Sequence, residues 1–218
     1  MADLKKLYDA VLNGDNKAAV AITKEAIAEN ADPMELVTGN MIPAMDEVGR
    51  RFECSEYFVP ELLLSARAMK SALELIRPLL AASGAQPVGR VVIGTVQGDL
   101  HDIGKNLVSS MLEGSGFEVK DLGTDVSPEK FVQAVQDTKA DVVCLSALLT
   151  VTMPSMKTTI TALENAGLRK QVKVLVGGAP VTSQYAAQIG ADAFGENANS
   201  AVTLARKMVG TPAPQVSA

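Results

Sequence analysis

The spacing of apolar residues changes once along this chain, near residue 84, and this change constrains the fold more than any other feature. Before it, apolar side chains recur every three to four residues, as at Leu62, Ala66 and Met69, which is the period of an amphipathic helix. After it, short β-rich runs such as Val91–Val96 alternate with helical patterns. The sequence therefore predicts two domains of different structural class.

Residues 1–83 are predicted to form a four-helix bundle with short antiparallel connections. Asn13-Gly14 is typical of a helix end. Asp15 and the pair Asp32-Pro33 are typical of helix starts, because an aspartate side chain caps the free amides and proline fits the first helical turn. The small residues of segment 84–89 predict a linker.

Residues 90–210 are predicted to form a Rossmann-like α/β domain. Its strands are expected near 91–96, 117–122, 141–145, 172–176 and 192–194. A helical pattern follows each strand, and Ser127 is expected to cap the helix that starts at Pro128. This alternation predicts a doubly wound (flavodoxin-like) five-stranded parallel sheet. Residues 211–218 are expected to be a tail.

Charge and composition exclude several classes of function. The net charge is −5, so nothing in the bulk charge attracts nucleic acid or an anionic membrane surface. No apolar run approaches the roughly 18 residues of a membrane span. The chain begins without a signal sequence and has two cysteines, which predicts a cytoplasmic protein. Its single histidine excludes a site that needs several imidazoles.

Common ligands of such a sheet are not supported by the strand ends. The GxGxxG motif of a dinucleotide site is absent after the first strand. Aromatic residues make up only 4% of the chain, and no hydroxyl-rich phosphate loop suggests a flavin. A phospho-receiver would need an aspartate after the third strand and a lysine after the fifth, where the chain has Ser146 and the stretch 193–195.

The histidine lies in a loop with an aspartate two residues before it. Asp99 can hydrogen-bond one ring nitrogen of His101, which fixes the tautomer and raises the basicity of the other nitrogen. Metal-ligating histidines have this arrangement, although these residues alone favour a structural or solvated histidine over a functional one. Ligands of doubly wound sheets bind beyond the carboxyl ends of the strands. Three further groups of residues follow strands there: Asp102, Ile103 and Gly104; Ser146, Leu148 and Thr150; Gly177 and Gly178.

A family resemblance rests on these positions. The pattern Asp99-x-His101-x-x-Gly104, followed by Ser146-x-Leu148 and Gly177-Gly178, resembles the cobalamin-binding fingerprint of methionine synthase and of stand-alone corrinoid proteins of methyltransferase systems. Residues 48–52 and 57–66 resemble the helical cap of the same family. The resemblance extends over residues 3–210.

The resemblance implies a role for each matching residue. His101 is implied to be the lower axial ligand of cobalt, with Asp99 and then Ser146 as a proton relay behind it. Gly104, Gly177 and Gly178 are implied to leave room for the nucleotide tail of the cofactor. The other implied cofactor contacts are Gly98, Asp102 and Ile103 in the histidine loop, Leu148 and Thr150 along the tail, and Phe52 and Val59 over the reactive methyl group.

By the same resemblance, the function is that of a corrinoid methyl carrier. The cofactor would be cobalamin or a related corrinoid, with its cobalt in methyl-Co(III), Co(I) and Co(II) forms. The implied partners are a donor-specific methyltransferase, an acceptor methyltransferase using tetrahydrofolate or a thiol coenzyme, and a reductive activator of the Co(II) form. Without a substrate-binding barrel, the chain is not expected to turn over alone. A cobalamin storage or delivery protein and a cobalamin-dependent regulator remain alternatives.

Overall fold

The computed structural model describes residues 4–82 and 86–210, which form two units. The first unit is helical. Its helices are α1 (Leu4–Leu12), α2 (Asn16–Ala28), α3 (Pro33–Glu35), α4 (Ile42–Glu53) and α5 (Val59–Ala82), with a π-helical turn over Leu36–Met41 between α3 and α4. The turn Glu113–Gly116 groups with this unit.

Aspartate caps start two of these helices, as the sequence predicts. The Asp15 side chain accepts a hydrogen bond from the amide of Ala18 at 3.0 Å, and the Asp32 side chain accepts one from the amide of Met34 at 3.0 Å. Each cap satisfies an amide that the first helical turn leaves without a partner.

The third predicted helix runs from Pro33 to Glu53 and contains the π-helical turn. Pro43 follows this turn, and its ring cannot donate a hydrogen bond and would collide with the carbonyl of residue 39 in a regular α-helix. The amide of Ile42 instead donates to the carbonyl of Val37, one residue further back than in an α-helix. The wider turn thus admits the proline without breaking the helix.

The core of the helical unit is apolar and rich in methionine. Its largest fully buried side chains are Leu7, Leu36, Met41, Met45, Leu62, Met69 and Ile76. The buried hydroxyl of Ser65 donates to the carbonyl of Leu12 at the end of α1, at 2.9 Å, so a carbonyl that the helix end leaves without an intrahelical partner is satisfied within the core.

The second unit is an α/β sandwich. Its elements are β1 (Arg90–Thr95), α6 (Ile103–Gly114), β2 (Glu118–Asp121), α7 (Pro128–Thr138), β3 (Val142–Ser146), α8 (Pro154–Asn165), β4 (Lys173–Gly177), α9 (Ser183–Ile189), β5 (Ala193–Gly195) and α10 (Ala198–Met208). All strand pairs are parallel, in the order β2-β1-β3-β4-β5. The predicted doubly wound sheet is confirmed, with boundaries that differ by one or two residues.

The sheet is buried because its central strands are apolar throughout. Val92, Val143 and Val174 lie on neighbouring strands and are fully buried. They pack with Phe131 of α7 and Ile160 of α8 in one core. Continuous apolar strands covered by helices are typical of parallel sheets.

The structure describes the predicted cap of α7, whereas the start of the predicted linker and the predicted tail lie outside the described residues. Ser127 occupies the N-cap position of α7, as the sequence predicts, but its side chain makes no capping hydrogen bond. Residues 83–85 lie outside the described residues and include the start of the predicted linker 84–89; the predicted tail 211–218 lies outside them as well. The predicted domain limits stay predictions. Among the described residues, no helix has the length and apolar character to span a membrane.

Candidate functional site

Two loops meet at the carboxyl edge of the sheet. Residues 96–102 follow β1 and residues 147–153 follow β3. Strands β1 and β3 are neighbours with Thr95 opposite Ser146, and the amide of Val96 donates to the carbonyl of Ser146 at 3.0 Å. In the order β2-β1-β3, the chain leaves β1 towards one side and reaches β3 on the other, which opens a ligand-binding crevice between their ends.

The β1 loop holds His101 at three points. Its carbonyl accepts a hydrogen bond from the buried hydroxyl of Thr95 at 2.7 Å. Its amide donates to Oδ1 of Asp99 at 3.0 Å, and its ring Nδ1 lies 2.9 Å from the same oxygen. The side chain is 51% exposed. The imidazole is therefore fixed at one nitrogen while its other edge faces outwards.

Asp99 is fully buried, and its second oxygen faces the β3 loop. Oδ2 accepts from the amide of Leu148 at 2.8 Å, from that of Leu149 at 3.3 Å, and from Oγ1 of Thr152 at 2.7 Å. Burial by itself would raise the pKa of this carboxyl, but the hydrogen bonds from Thr152, Leu148 and His101 outweigh burial and hold the pKa well below its ordinary value.

An ionised Asp99 determines the tautomer of His101. A carboxylate can only accept hydrogen bonds, so Nδ1 of the ring carries a proton, and in the neutral imidazole the lone pair is therefore on Nε2. In the part of the chain that the structure describes, no protein group hydrogen-bonds Nε2. The arrangement presents one imidazole nitrogen, backed by a buried carboxylate, as a ligand for a metal ion.

The structure corrects one member of the implied relay. Asp99 contacts His101 as the sequence predicts. The hydroxyl of Ser146, however, makes no hydrogen bond to Asp99 among the described residues, although Ser146 ends the neighbouring strand. The side-chain hydroxyl on the far side of Asp99 belongs to Thr152, because the strand ends at Ser146 and the loop turns back over Asp99.

The remaining predicted residues of the two loops lie on the surface. Asp102 accepts a hydrogen bond from the Asn106 side chain at 3.1 Å and precedes α6. Ile103 is 82% exposed. Leu148 reaches Asp99 through its amide and leaves its side chain partly exposed, and Thr150 is exposed at the tip of the β3 loop.

The predicted glycines differ in what requires them. A Cβ atom added at Gly104 would meet no atom within 4 Å, so the protein itself leaves open space there. At Gly178, where φ is +131°, a Cβ would lie 1.9 Å from the carbonyl oxygen of Ala147. Glycine is therefore required at position 178, because a side chain there would collide with the backbone of Ala147. At Gly177 a Cβ would lie 3.1 Å from the Gly195 carbonyl, and Gly98 has a φ of +86° in the histidine loop.

Phe52 and Val59 belong to the helical unit. Phe52 lies near the end of α4 and is partly exposed, and Val59 begins α5 with an exposed side chain. Their place over the cofactor stays a prediction.

The sequence reasoning missed three side chains of this edge. Thr95 fixes the His101 carbonyl, and Thr152 contacts Asp99. Lys105, at the start of α6, is almost completely buried and pairs with Asp121 at the end of β2. The sequence signal for Thr95 is a polar residue inside an otherwise apolar stretch, which burial must then satisfy. Lys105 lies between Gly104 and Asn106 and carries no such signal. Thr152 had no local signal, because only the turn of the β3 loop brings it to Asp99.

The site suits a metal whose other ligands come from a macrocycle. No group of three or more His, Cys, Asp and Glu side chains that could hold a metal ion occurs in residues 4–82 and 86–210. A corrin supplies the equatorial nitrogens of its cobalt, so one imidazole suffices. The two loops also expose large apolar side chains: Leu100, Ile103, Leu148, Leu149 and Val151. Such a surface fits a bulky, largely apolar ligand, and the space at Gly104 gives that ligand room.

Comparison with known proteins defines the class. The chain belongs to the B12-binding family: the B12 binding domain matches residues 89–205, and a second family, also described as a B12 binding domain, matches residues 3–77. The sheet edge built around His101 lies within the first match. The protein binds cobalamin or a related corrinoid and is a corrinoid protein.

Particular relatives cover nearly the whole chain. Trimethylamine corrinoid protein 1 of Methanosarcina acetivorans is 41% identical over 208 residues, which are 94% of this chain and 96% of the relative. Dimethylamine corrinoid protein 1 of the same organism is 41% identical over 94% of this chain and 97% of the relative.

Two solved structures share the fold. A cobalamin-binding protein from Desulfitobacterium hafniense is 34% identical with a TM-score of 0.78, and the match covers 95% of this chain and 99% of that one. In the methanol:cobalamin methyltransferase complex MtaBC from Methanosarcina barkeri, the matched chain is 29% identical with a TM-score of 0.85, covering 96% of this chain and 81% of that one. Both confirm the helical unit followed by a parallel α/β unit.

Proposed function

We propose that this corrinoid protein is a methyl carrier that accepts a methyl group from a donor-specific methyltransferase and delivers it to an acceptor methyltransferase. The observation that carries the proposal is the imidazole of His101, held at Nδ1 by buried Asp99 and open at Nε2. When bound, the corrinoid supplies a cobalt centre that takes up a methyl group and gives it away again.

His101 is the residue that would hold the cobalt, through Nε2. Asp99 fixes the imidazole orientation and takes up Nδ1, which leaves Nε2 as the nitrogen that faces a metal. The space beside Gly104 would take part of the cofactor, and the exposed apolar side chains of the two loops would exclude water from it. The chain's own contribution is therefore to bind the cofactor, orient one ligand and keep water out.

The partners follow from the relatives. Trimethylamine and dimethylamine corrinoid proteins are similar over the whole chain, and one matched structure is a complex named as a methyltransferase. We infer a methylated amine or a related small donor, bound by a separate methyltransferase. The acceptor enzyme carries tetrahydrofolate or a thiol coenzyme, and a reductive activator restores cofactor that has been oxidised.

Two experiments test this function at different levels. The protein reconstituted with hydroxocobalamin and reduced to the Co(II) state should show an electron paramagnetic resonance signal split by one axial histidine nitrogen. His101→Ala should lose the splitting; because the chain has one histidine, a splitting retained in the variant would disprove the ligand assignment. Glu164→Gln, at an exposed residue of α8 outside the His101 hydrogen bonds, is the control for loading.

Methyl transfer then separates a carrier from a storage protein. The loaded protein should pass methyl groups only when a donor methyltransferase and an acceptor methyltransferase are both added. Loading without any transfer in the presence of both enzymes would support cobalamin storage or delivery instead.

A further inference from the structure

A third loop contacts the β1 loop at this edge of the sheet. Residues 122–127, the β2 loop, connect β2 to α7 and pair with the end of β1 through a parallel bridge. Within the β2 loop, Asp125 holds the β1 loop at two points. Its Oδ1 accepts a hydrogen bond from the amide of Gly98 at 2.8 Å, and its own amide donates to the carbonyl of Asp99 at 2.9 Å. Asp125 therefore binds two consecutive residues, one of which is the carboxylate residue beside His101.

The contact with Gly98 acts on a tight turn. The amide of Asp99 donates to the carbonyl of Val96 at 3.1 Å, so residues 96–99 form a β-turn. Gly98 is the third residue of this turn and has a φ of +86°, which is typical of a type II turn. Type I and type II turns differ mainly in the direction of the central peptide bond, which here joins Gln97 and Gly98. Glycine readily adopts φ of either sign, so Gly98 alone does not decide between the two turns.

Two side chains hold this central peptide bond from opposite sides. Asp125 accepts from the Gly98 amide, and the hydroxyl of Ser155, at the start of α8, donates to the Gln97 carbonyl at 3.0 Å. The N–H and C=O groups of a trans peptide point in opposite directions, so a flip of this peptide would exchange them.

Only one of these two side chains distinguishes the two directions. A flipped peptide would turn the carbonyl oxygen of Gln97 towards the carboxylate of Asp125, and two acceptors cannot hydrogen-bond each other. The hydroxyl of Ser155 can donate or accept, so it suits either direction of the peptide. Asp125 is therefore the residue that selects the observed turn.

The backbone of Asp125 supports a use for its side chain. Asp125 has a φ of +51°, in the left-handed region that residues with a Cβ rarely adopt, although aspartate adopts it more readily than most. Glycine would meet no steric cost at this φ. A residue with a side chain at such a position points to a role for that side chain, and its hydrogen bond to Gly98 supplies one.

We propose that Asp125 is a positioning residue of the corrinoid site: it fixes the peptide bond between Gln97 and Gly98 and the backbone of Asp99, and so holds the His101 imidazole in direction from a third loop. This role rests on the proposed function, in which His101 binds cobalt. All of the contacts involved join protein groups, so the turn should already be set in the cofactor-free protein.

The first measurement is NMR of the full-length, cofactor-free protein. In a type II turn, the wild-type protein should show a strong nuclear Overhauser effect between the Gln97 Hα and the Gly98 amide proton. Asp125→Gly removes the carboxylate without imposing strain at the positive φ. It should weaken this effect and produce one between the amide protons of Gln97 and Gly98, which is typical of a type I turn. Asp125→Asn keeps a side-chain oxygen that accepts a hydrogen bond, and it should retain the wild-type pattern.

Two control variants test whether the effect belongs to the Asp125 side chain. Lys139→Gly places a glycine at another left-handed residue, with a φ of 52° at the end of α7, and should leave the turn unchanged. Ser155→Ala should also leave the turn type unchanged, because the Ser155 hydroxyl suits both directions of the peptide.

The second measurement uses hydroxocobalamin as the probe. Loss of a direct partner of a metal-binding histidine typically weakens metal affinity roughly 10- to 100-fold, and Asp125 acts one contact further away, so Asp125→Gly should weaken binding about threefold. In the Co(II) state, a smaller fraction of the electron paramagnetic resonance signal should carry the histidine nitrogen splitting. Asp125→Asn and Lys139→Gly should bind like wild type.

The outcomes separate the two proposals. A wild-type turn or wild-type affinity in Asp125→Gly would overturn the role of Asp125. So would a failure of Asp125→Asn to retain the turn, or an equal change of turn in Ser155→Ala or Lys139→Gly. Absence of histidine nitrogen splitting in loaded wild-type protein would overturn the proposed function, while the turn in the cofactor-free variants would still decide whether Asp125 fixes it.

Discussion

Asp99 in the α/β unit and Glu47 in the helical unit are both carboxylates with a lowered pKa, but their surroundings differ. Asp99 is fully buried and is stabilised by amides, a hydroxyl and an imidazole. Glu47 lies on α4 near the surface. Hydrogen bonds from Arg50 and then from Arg51 lower its pKa to about 2, although partial burial acts in the opposite direction. Arg50 is itself 51% exposed.

The difference shows what kind of stabilisation a functional site requires. Arg50 and Arg51 are long side chains whose ion pairs are weakened by salt and by motion. The donors to Asp99 are backbone amides and short side chains held by the sheet edge, so their directions are set by the fold. A metal ligand that needs a fixed direction, such as His101, is therefore held by backbone amides and short side chains rather than by long charged side chains.

Of the substitutions that compare the surroundings of Asp99 and Glu47, neutralising Asp99 should change the free energy of unfolding most. Asp99→Asn turns one buried acceptor into an NH₂ group that faces donors, which should lower the free energy of unfolding by about 2–4 kcal/mol. Urea unfolding of the full chain measures this change. The control is Asp102→Asn in the same loop, whose exposed carboxylate should matter little; equal losses in the two variants would contradict the importance of burial.

A gain in the free energy of unfolding, rather than a loss, is expected for a substitution at Gly104, which borders open space at the sheet edge. Gly104→Ala adds a methyl group within α6 that meets no protein atom, so the cofactor-free protein should become about 0.5 kcal/mol more stable. Hydroxocobalamin should bind more weakly because the added methyl takes space from the cofactor. Gly98→Ala, at a φ of +86°, should instead be destabilised. Unchanged affinity in Gly104→Ala would show that the cofactor does not use this space.

Neutralising Glu47 should have a smaller effect. Glu47→Gln removes surface ion pairs with Arg50 and Arg51, and we expect it to lower the free energy of unfolding by about 1 kcal/mol or less. About 1 M NaCl should reduce this loss while leaving that of Asp99→Asn nearly unchanged. An equal salt effect on both variants would remove the distinction between the two regions.

The pH dependence of the Glu47 effect gives the finest test. The folded-state pKa is about 2, below the ordinary value of 4.5 for a glutamate, so the stabilisation is present above about pH 4.5 and is lost as the pH falls towards 2. The difference in stability between wild type and Glu47→Gln should therefore shrink between about pH 6 and about pH 3. A difference that grows on acidification would contradict the lowered pKa.

Much of the fold follows from local patterns. The change of apolar period near residue 84 separates helical from α/β sequence, and apolar runs such as Val142–Leu145 locate the strands to within a residue or two. The caps at Asp15 and Asp32 also act within a few residues. The π-helical turn before Pro43 was missed, because periodicity does not show which hydrogen-bond spacing a helix adopts around a proline.

The contacts of the candidate site likewise divide into local ones, which the sequence predicts, and ones between distant residues, which it does not. Asp99 and His101 are two residues apart, so their contact could be predicted from the sequence. Thr152 lies 53 residues after Asp99, and Ser146 was the expected partner because its position matched a family pattern. The reason for Gly178 is equally non-local, since it depends on how closely Ala147 of the neighbouring loop approaches.

The sequence by itself thus determined the order of helices and strands, the parallel sheet and the pairing of the only histidine with Asp99. These depend on periodicity, capping and short separations, which act along the chain. Tertiary structure alone decided that Thr152 supports Asp99, that Thr95 holds the His101 carbonyl and that Gly104 borders open space. These depend on where the ends of β1 and β3 meet, and that position is set by packing of the whole sheet.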